Sequence, residues 1–133
     1  MIYLLDVNVL VALGFDSHEF HARVATWVRG DAPHLATSSI TELGFVRVLA
    51  QAPAYGFTIP QARTLLMHLK EASVARLTFM PDQHDVSDLP TWVRAAKQIT
   101  DGHLSKLASA NGGVLATLDE NIPGSYLIPK TRS

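Results

Sequence analysis

Residues 1–13, MIYLLDVNVLVAL, form a continuous apolar run that is interrupted only by Asp6 and Asn8. Within this run, residues 2–5 have the short, unbroken apolar pattern of a strand that is buried on both faces of a parallel sheet. An ionised carboxylate next to such a strand costs several kcal/mol unless it is paired. Because ligands in open α/β sheets bind beyond the carboxyl ends of the strands, the position of Asp6 predicts a binding edge.

Length and composition are those of one folded domain over residues 1–133. Of the 133 residues, 47% are hydrophobic and 17% are charged. The formal net charge of −1 gives no overall positive field for nucleic acid, so a polyanion would have to bind at local patches or through metal. The absence of Cys excludes disulfides, thiolate zinc sites and cysteine nucleophiles.

The beginning of the chain does not resemble a targeting segment. It has no basic leader and no small-residue cleavage site, and Asp6 interrupts its apolar run. No apolar run approaches the roughly 20 residues of a membrane span. We therefore expect a cytoplasmic protein that does not enter the membrane.

Short apolar segments alternate with longer segments of helical periodicity along the chain. Besides residues 2–5, strands are predicted over residues 35–38, 76–80, 114–118 and 126–128. Helices are predicted over residues 7–15, 16–30, 39–51, 58–71, 88–96 and 100–110. This alternation favours parallel pairing through right-handed crossovers, and hence an α/β fold: a three-layer α/β/α sandwich with a central, mostly parallel sheet of four to five strands.

Capping patterns and periodicity indicate where the helices begin and which side faces the core. Capping boxes are predicted at residues 16–19, 39–42 and 58–61. The predicted core residues of the second and third helices are Phe20, Val24, Trp27 and Val28, followed by Gly30 at the helix end, and Ile40, Leu43, Val46 and Ala50. The helix over residues 58–71 is apolar around much of its circumference, so it is either fully buried or part of an interface.

Four acidic residues are predicted to meet at the carboxyl edge of this sheet. Asp6 and Asp119 end the first and fourth strands, while Glu42 and Asp101 lie at the beginning of helices that follow the second strand and lead into the fourth. Each also has a local explanation: Asp6 and Asp101 suit helix amino ends, Asp119 suits a turn, and Glu42 could be the capping-box partner of Ser39. The coincidence of all four favours a shared site.

Electrostatic repulsion among four carboxylates indicates that the cluster needs cations. Two carboxylates about 6 Å apart repel by roughly 3 kcal/mol at an effective dielectric constant near 20, and four of them form several such pairs. Carboxylate oxygens without thiolate or obligatory imidazole suit Mg²⁺ or Mn²⁺. A metal held in this way can assist hydrolysis of a phosphodiester bond.

The same residues resemble the motifs of the PIN domain family and, within it, of the VapC-type ribonuclease toxins. The matching pieces are Leu-Leu-Asp6-Val-Asn8-Val-Leu, Ser39-Ile-Thr-Glu42, Thr100-Asp101 and Leu-Ala-Thr117-Leu-Asp119-Glu-Asn121. Their order and spacing fit nearly from end to end. Some relatives have a further acid where this chain has Asn121, so the site here is one charge lighter.

The resemblance implies a PIN-like α/β/α fold and a Mg²⁺- or Mn²⁺-dependent endoribonuclease that is the toxin of a type II toxin–antitoxin pair. It implies that Asp6, Glu42, Asp101 and Asp119 are the catalytic and metal-binding residues. It gives Asn8, Thr117 and Asn121 a supporting role. It also implies a homodimer and a VapB-like antitoxin partner that covers the active site.

Three histidines are further candidates for a functional role. His18 and His21 lie three residues apart, but no third metal ligand is apparent near them, so they are interpreted as a surface pair. His103 lies two residues after Asp101 and could meet RNA or a catalytic water, although helix geometry turns it away from Asp101.

Arg47 and a set of acids in a loop complete the candidates. Arg47 lies one turn beyond Glu42, where it could bind a substrate phosphate or balance the acidic site. Asp82, Asp85 and Asp88 suit a solvated loop that ends in a helix cap, with a second metal site as the alternative.

Two other functions are compatible with these residues. In the first, Asp6 is the nucleophile of a phosphohydrolase that forms an aspartyl-phosphate. Enzymes of that kind usually have a second Asp where Asn8 stands and a downstream Lys for the phosphate, and no convincing Lys is found. In the second, the chain is a non-catalytic PIN-like binding module whose acidic pocket is a docking site.

Overall fold

A computed structural model describes residues 1–72 and 77–131 of the chain. Its single sheet has five strands, which are all parallel and lie in the order β3-β2-β1-β4-β5. The strands are β1 (Ile2–Leu5), β2 (His34–Thr37), β3 (Leu77–Phe79), β4 (Gly113–Thr117) and β5 (Tyr126–Leu127). Each agrees with its predicted segment to within about one residue, although Arg76 of the predicted third strand lies outside the described residues.

Five helices cover the two faces of this sheet. They are α1 (Val7–Gly14), α2 (His21–Asp31), α3 (Ser39–Gln51), α4 (Ile59–Glu71) and α5 (Ile99–Ala110). Leu5 belongs to a buried cluster with side chains of α1 to α4, whereas Leu4 belongs to a second cluster with side chains of α5. Because successive strand residues point to opposite faces, the apolar pair Leu4-Leu5 serves both layers, and the predicted α/β/α sandwich is confirmed.

The predicted helix over residues 88–96 is wrong. These residues form an irregular segment between two short 3₁₀ turns, Val86–Asp88 and Ala96–Gln98. The segment packs closely on α5, since a Cβ at Gly102 would lie 2.2 Å from Val93 Cγ2 and 3.2 Å from Pro90 Cδ. The apolar residues that suggested a helix therefore cover the beginning of α5 from a loop.

The predicted beginning and end of the second helix are also wrong. The helix α2 begins at His21, after Phe20, and has no side-chain cap. It continues through Gly30 to Asp31, and Ala32 adopts the left-handed conformation at φ 44°. Phe20 does not belong to the core: 37% of it is exposed, while Val24, Trp27 and Val28 are buried as predicted.

The inner face of α3 differs from the prediction. Ser38 caps the helix and forms a capping box with Thr41, so Glu42 is not the capping partner of Ser39. The buried residues are Thr41, Gly44, Phe45 and Leu49, whereas 64% of Leu43 is exposed and Ile40, Val46 and Ala50 are half-buried. The reason is close packing against α1, because a Cβ at Gly44 would lie 2.5 Å from Val7 Cγ2.

The helix α4 has one buried side and one open side. Its predicted capping box is confirmed between Thr58 and Gln61. Leu66 is buried, but 47% of Met67 is exposed, so the helix is not fully buried. Among the helices of the described segments, none combines the length and the apolar composition that a membrane crossing requires.

Gly44 and Gly30 provide a matched test of the α1–α3 contact. Gly44→Ala is expected to lower the free energy of unfolding by about 1–3 kcal/mol, because the added methyl group overpacks against Val7. Gly30→Ala is the control: no described atom lies within 4 Å of the added Cβ, so the change should stabilise α2 by about 0.5–1 kcal/mol. Urea unfolding measures both, and equal effects of the two changes would contradict the close contact.

Candidate active site

Asp6 connects the end of β1 to the beginning of α1. Its Oδ1 accepts a hydrogen bond from the Val7 N–H at 2.8 Å, and its Oδ2 accepts one from the Thr117 hydroxyl at 3.0 Å. Only 8% of Asp6 is exposed. Burial raises the pKa of Asp6, and the nearby charge of Asp119 raises it further, although both hydrogen bonds act in the opposite direction.

Asp119 is joined to Asp6 through Thr117. The Thr117 hydroxyl donates to Asp6 and accepts from the Asp119 N–H at 3.0 Å. Asp119 Oδ1 in turn accepts from the Asn121 N–H at 2.9 Å, which is the turn that the sequence suggested. Because β1 and β4 are neighbouring parallel strands, these contacts bring together acids that are 113 positions apart in the chain.

Asp101 lies in the first turn of α5 and faces the same two acids. Its pKa is raised to about 6, first by burial and then by the charges of Asp6 and Asp119. Its side chain does not cap the helix, because α5 begins after Gln98 without a side-chain cap. The structure thus places Asp6, Asp101 and Asp119 in one electrostatically coupled group.

Glu42 lies at the same edge, after β2, but has partners of its own. Its Oε2 accepts from the Thr37 hydroxyl at 2.6 Å and from Lys70 Nζ at 2.7 Å. Thr37 is the last residue of β2, and β2 pairs with β1. About one fifth of each charged side chain is exposed, so this ion pair is largely shielded from water.

Sequence reasoning missed Lys70 and Thr37. Thr37 ends a strand beside a capping motif, and that position was a usable signal. Lys70 is 28 residues from Glu42 and comes from the last turn of α4, so only the packing of α3 against α4 brings it to the acid.

The three supporting residues lie close to the acids. Thr117 and Asn121 make the hydrogen bonds described above, and Asn8 is an exposed residue of α1 that lines a pocket together with Asp119. Arg47 is exposed in a groove with Leu43 and Ile59, next to the groove that Glu42 borders. The functional roles of these four residues stay predictions.

The histidines and the loop acids form separate contacts. His103 turns away from Asp101, as expected, and pairs with Asp82 on the segment after β3. His21 contacts the Ala12 carbonyl at 2.7 Å, and Asp85 caps the turn at Ser87. Nowhere in residues 1–72 and 77–131 do three His, Asp or Glu side chains meet closely enough to hold a metal ion as they stand.

The chemistry of the coupled acids nevertheless fits Mg²⁺ or Mn²⁺. Asp6, Asp101 and Asp119 offer only carboxylate oxygens, and within the described segments no basic side chain forms a salt bridge with any of them. Mg²⁺ keeps several of its waters and binds directly to only one or two carboxylates. It can therefore be held by acids that are too far apart for all of them to coordinate it directly. The residues therefore fit a hydrated divalent cation.

The fold and the sequence together define a known class of protein. The sequence model described as "PIN domain" matches residues 3–124, and the chain belongs to the PIN domain family. It is 40% identical over 126 residues to "Ribonuclease VapC38" of Mycobacterium tuberculosis, covering 90% of this chain and 86% of the relative. It is 34% identical over 135 residues to "Ribonuclease VapC39" of the same species, covering 94% of both.

A solved structure shows the same fold at low sequence identity. It is the crystal structure of VapBC2 from Rickettsia felis bound to a DNA fragment from their promoter. The similarity covers 96% of this chain and 97% of that chain, with a TM-score of 0.60 and 16% identity. The α/β/α architecture thus persists where most of the sequence has changed.

The raised pKa of Asp101 predicts a pH dependence of stability. Between its ordinary value of 3.8 and its folded value of about 6, the folded chain binds more protons than the unfolded chain. The free energy of unfolding of the metal-free protein should therefore decrease as pH rises through this range, by about 1–2 kcal/mol after allowing for solvent screening.

Urea unfolding in the presence of a chelator measures this effect. Asp101→Asn cannot ionise, so it should lose this decrease and be more stable than the wild type at neutral pH. Identical pH profiles for the two proteins would show that Asp101 is not coupled to the other acids.

Proposed function

We propose that this PIN-domain protein is a metal-dependent endoribonuclease, the toxin of a type II toxin–antitoxin pair, and that it hydrolyses RNA phosphodiester bonds at the carboxyl edge of its sheet. The observation that carries the proposal is the coupling of Asp6, Asp101 and Asp119 in a partly buried group without a cationic partner in the described residues. The relatives named as ribonucleases support the reaction class. An RNA substrate agrees with the predicted cytoplasmic location.

The acids have separate tasks in this proposal. Asp6, Asp101 and Asp119 would hold Mg²⁺ or Mn²⁺, which supplies an activated water and stabilises the leaving oxygen of the phosphodiester. Thr117 orients Asp6 and the backbone of Asp119 at once, because its hydroxyl bonds to both. The Val7 N–H holds the other oxygen of Asp6. The acids are thereby kept in place before metal or substrate arrives.

Glu42 would complete the set through one of its two oxygens. Thr37 and Lys70 both bind Oε2, and Oε1 makes no hydrogen bond within the described residues. Lys70 neutralises the charge of Glu42 and so lowers the repulsion that a fourth carboxylate adds to the edge. Glu42 can thus offer Oε1 to the metal or to its waters while Lys70 stays bound.

We also propose the surface for the VapB-like antitoxin. The large apolar residues Leu43, Ile59, Met67 and Phe79 are 64%, 60%, 47% and 43% exposed. They line two adjoining grooves of about 420 and 450 Å³ between α3, α4 and β3, and Glu42 borders the second groove. An antitoxin segment with an apolar face would cover these residues and also block access to the acids. The homodimer implied by the resemblance stays a prediction.

Cleavage of RNA in the presence and absence of metal tests the enzymatic proposal. The purified protein should cut total cellular RNA with Mg²⁺ or Mn²⁺ and stop when a chelator is added. Asp6→Asn should stay folded and reduce cleavage at least about a hundredfold, because one metal ligand loses its charge. Sequencing of the cut ends measures activity, and circular dichroism checks the fold.

Other results would favour the other functions. Cleavage that is indifferent to chelator would exclude the metal mechanism. A covalently phosphorylated Asp6 would favour the aspartyl-phosphate phosphohydrolase. A folded protein that binds metal but cuts no RNA would favour the non-catalytic module.

Co-purification tests the antitoxin surface. Leu43→Asp should abolish co-purification of this chain with a co-expressed VapB-like antitoxin, since a charge would be buried in the apolar contact. Val86→Asp is the control, because Val86 is 77% exposed but lines neither groove. Loss of co-purification in both variants, or in neither, would contradict the proposed surface.

A further inference from the structure

A pocket of about 350 Å³ opens directly beside Asp119, on the side of the sheet edge away from Glu42. Its volume lies within the range of about 300–1,000 Å³ that is usual for small-molecule sites. The first wall belongs to the acidic edge and consists of Asn8, Leu118 and Asp119. The second wall belongs to the loop before α2 and consists of His18, Glu19 and Phe20. None of the functions assigned above uses the second wall.

Phe20 is an unusual residue for this position. It is 37% exposed, although it lies in a segment whose pattern predicts burial. Its ring lies 5.9 Å from the ring of His18 and 5.8 Å from the guanidinium carbon of Arg23. Arg23 is itself anchored, because its Nε donates to the Ile128 carbonyl at 3.1 Å. The aromatic ring is thus held in place at the surface rather than buried.

Two hydrogen bonds order the loop that carries the second wall, one within the loop and one from its end to α1. The Phe20 N–H donates to His18 Nδ1 at 3.0 Å, and His21 Nδ1 contacts the Ala12 carbonyl at 2.7 Å. Because Nδ1 of His18 accepts a hydrogen bond, the neutral ring carries its proton on Nε2. Burial lowers the pKa of His18, which favours that neutral form. The pocket is therefore formed before any ligand binds.

We propose that this pocket binds the base of the RNA nucleotide next to the scissile phosphate, with Phe20 stacked on the base and Glu19 accepting hydrogen bonds from its edge. This inference rests on the proposed ribonuclease function. Unpaired RNA bases are commonly bound by stacking on an aromatic ring together with hydrogen bonds to their Watson–Crick edge. Asp119 belongs to both the pocket and the acidic group. A base in the pocket would therefore lie beside a phosphate that is bound at the acids.

The donors and acceptors of the second wall select one base. Glu19 offers two carboxylate oxygens, which match the two neighbouring N–H donors on the Watson–Crick edge of guanine. Uracil presents one such donor between two carbonyl oxygens, which the carboxylate repels. His18 Nε2–H can donate to a carbonyl oxygen of the base. The pocket thus recognises a guanine at one position beside the cut.

Cleavage of a randomised pool of short single-stranded RNA tests the inference. Sequencing of the products obtained with Mn²⁺ should show guanine enriched at one flanking position for the wild type. Phe20→Leu and Glu19→Gln should lose this enrichment, whereas Phe20→Tyr should retain it. Leu127→Ala is the control, since Leu127 is also 37% exposed but lies on the edge strand β5.

Binding without cleavage provides an independent measurement. In an Asp6→Asn background, fluorescence anisotropy compares a labelled oligouridine with the same oligomer carrying one central guanine. Phe20→Leu should weaken binding of the guanine oligomer about tenfold to a hundredfold, which corresponds to the loss of one stacked base.

The outcomes separate the two proposals. If the wild type cleaves RNA and Phe20→Leu and Glu19→Gln leave both base frequencies and affinity unchanged, the pocket assignment is overturned and the ribonuclease stands. If no RNA is cut but the affinity difference remains, the ribonuclease fails, binding of guanine by the pocket is supported, and its place beside a scissile phosphate is overturned.

Discussion

Repulsion among three neighbouring carboxylates is the constraint on which the carboxyl edge of the sheet depends: Asp6 is buried, Asp101 is half-buried and Asp119 is exposed. Asp119 raises the pKa of Asp6, and the charges of Asp6 and Asp119 together raise the pKa of Asp101. In the metal-free chain part of this cost is avoided because Asp101 holds a proton up to about pH 6. In the proposed function a bound divalent cation would remove the same cost by neutralising the group, and metal binding would then stabilise the fold.

Glu42 solves the same problem in a different way. Its partner Lys70 supplies a counter-charge from α4, so the fourth acid adds little to the repulsion. The edge is therefore divided into a neutralised side at Glu42 and an uncompensated side at Asp6, Asp101 and Asp119. Within the described residues neither side of the edge forms a closed ligand set as it stands.

Two glycines position the helices that carry the acids. Gly44 follows Glu42 by two residues and lets α3 lie against Val7, which is next to Asp6. Gly102 follows Asp101 directly and lets residues 90–93 pack on the beginning of α5. At both positions a Cβ would come within about 2.5 Å of a neighbouring side chain, far inside van der Waals contact. Close packing beside the acids thus limits how far they can move apart.

The errors of sequence reasoning share a pattern. Phe20 and Leu43 have helical spacing and apolar side chains, so periodicity places them in the core. In the structure both are exposed, one in the pocket beside Asp119 and the other in the groove beside Glu42. The periodic spacing of apolar residues indicates which side of a helix is covered. It does not say whether the covering surface belongs to the same chain or to a binding partner. The two residues that periodicity wrongly places in the core therefore lie at the two proposed binding surfaces.

The sequence alone was sufficient for the layered α/β/α fold and for the edge at which the acids gather, because both follow from local periods and from the parallel order of strands. It also located Asp6 and Asp119 at this edge, since a charged residue at the end of an apolar strand can be recognised from the sequence. Only the tertiary structure decided that Asp101 couples to these two acids, that Lys70 balances Glu42, and that Phe20 faces solvent. Those features depend on distances between helices, and such distances are set by side-chain packing over long sequence separations rather than by any local pattern.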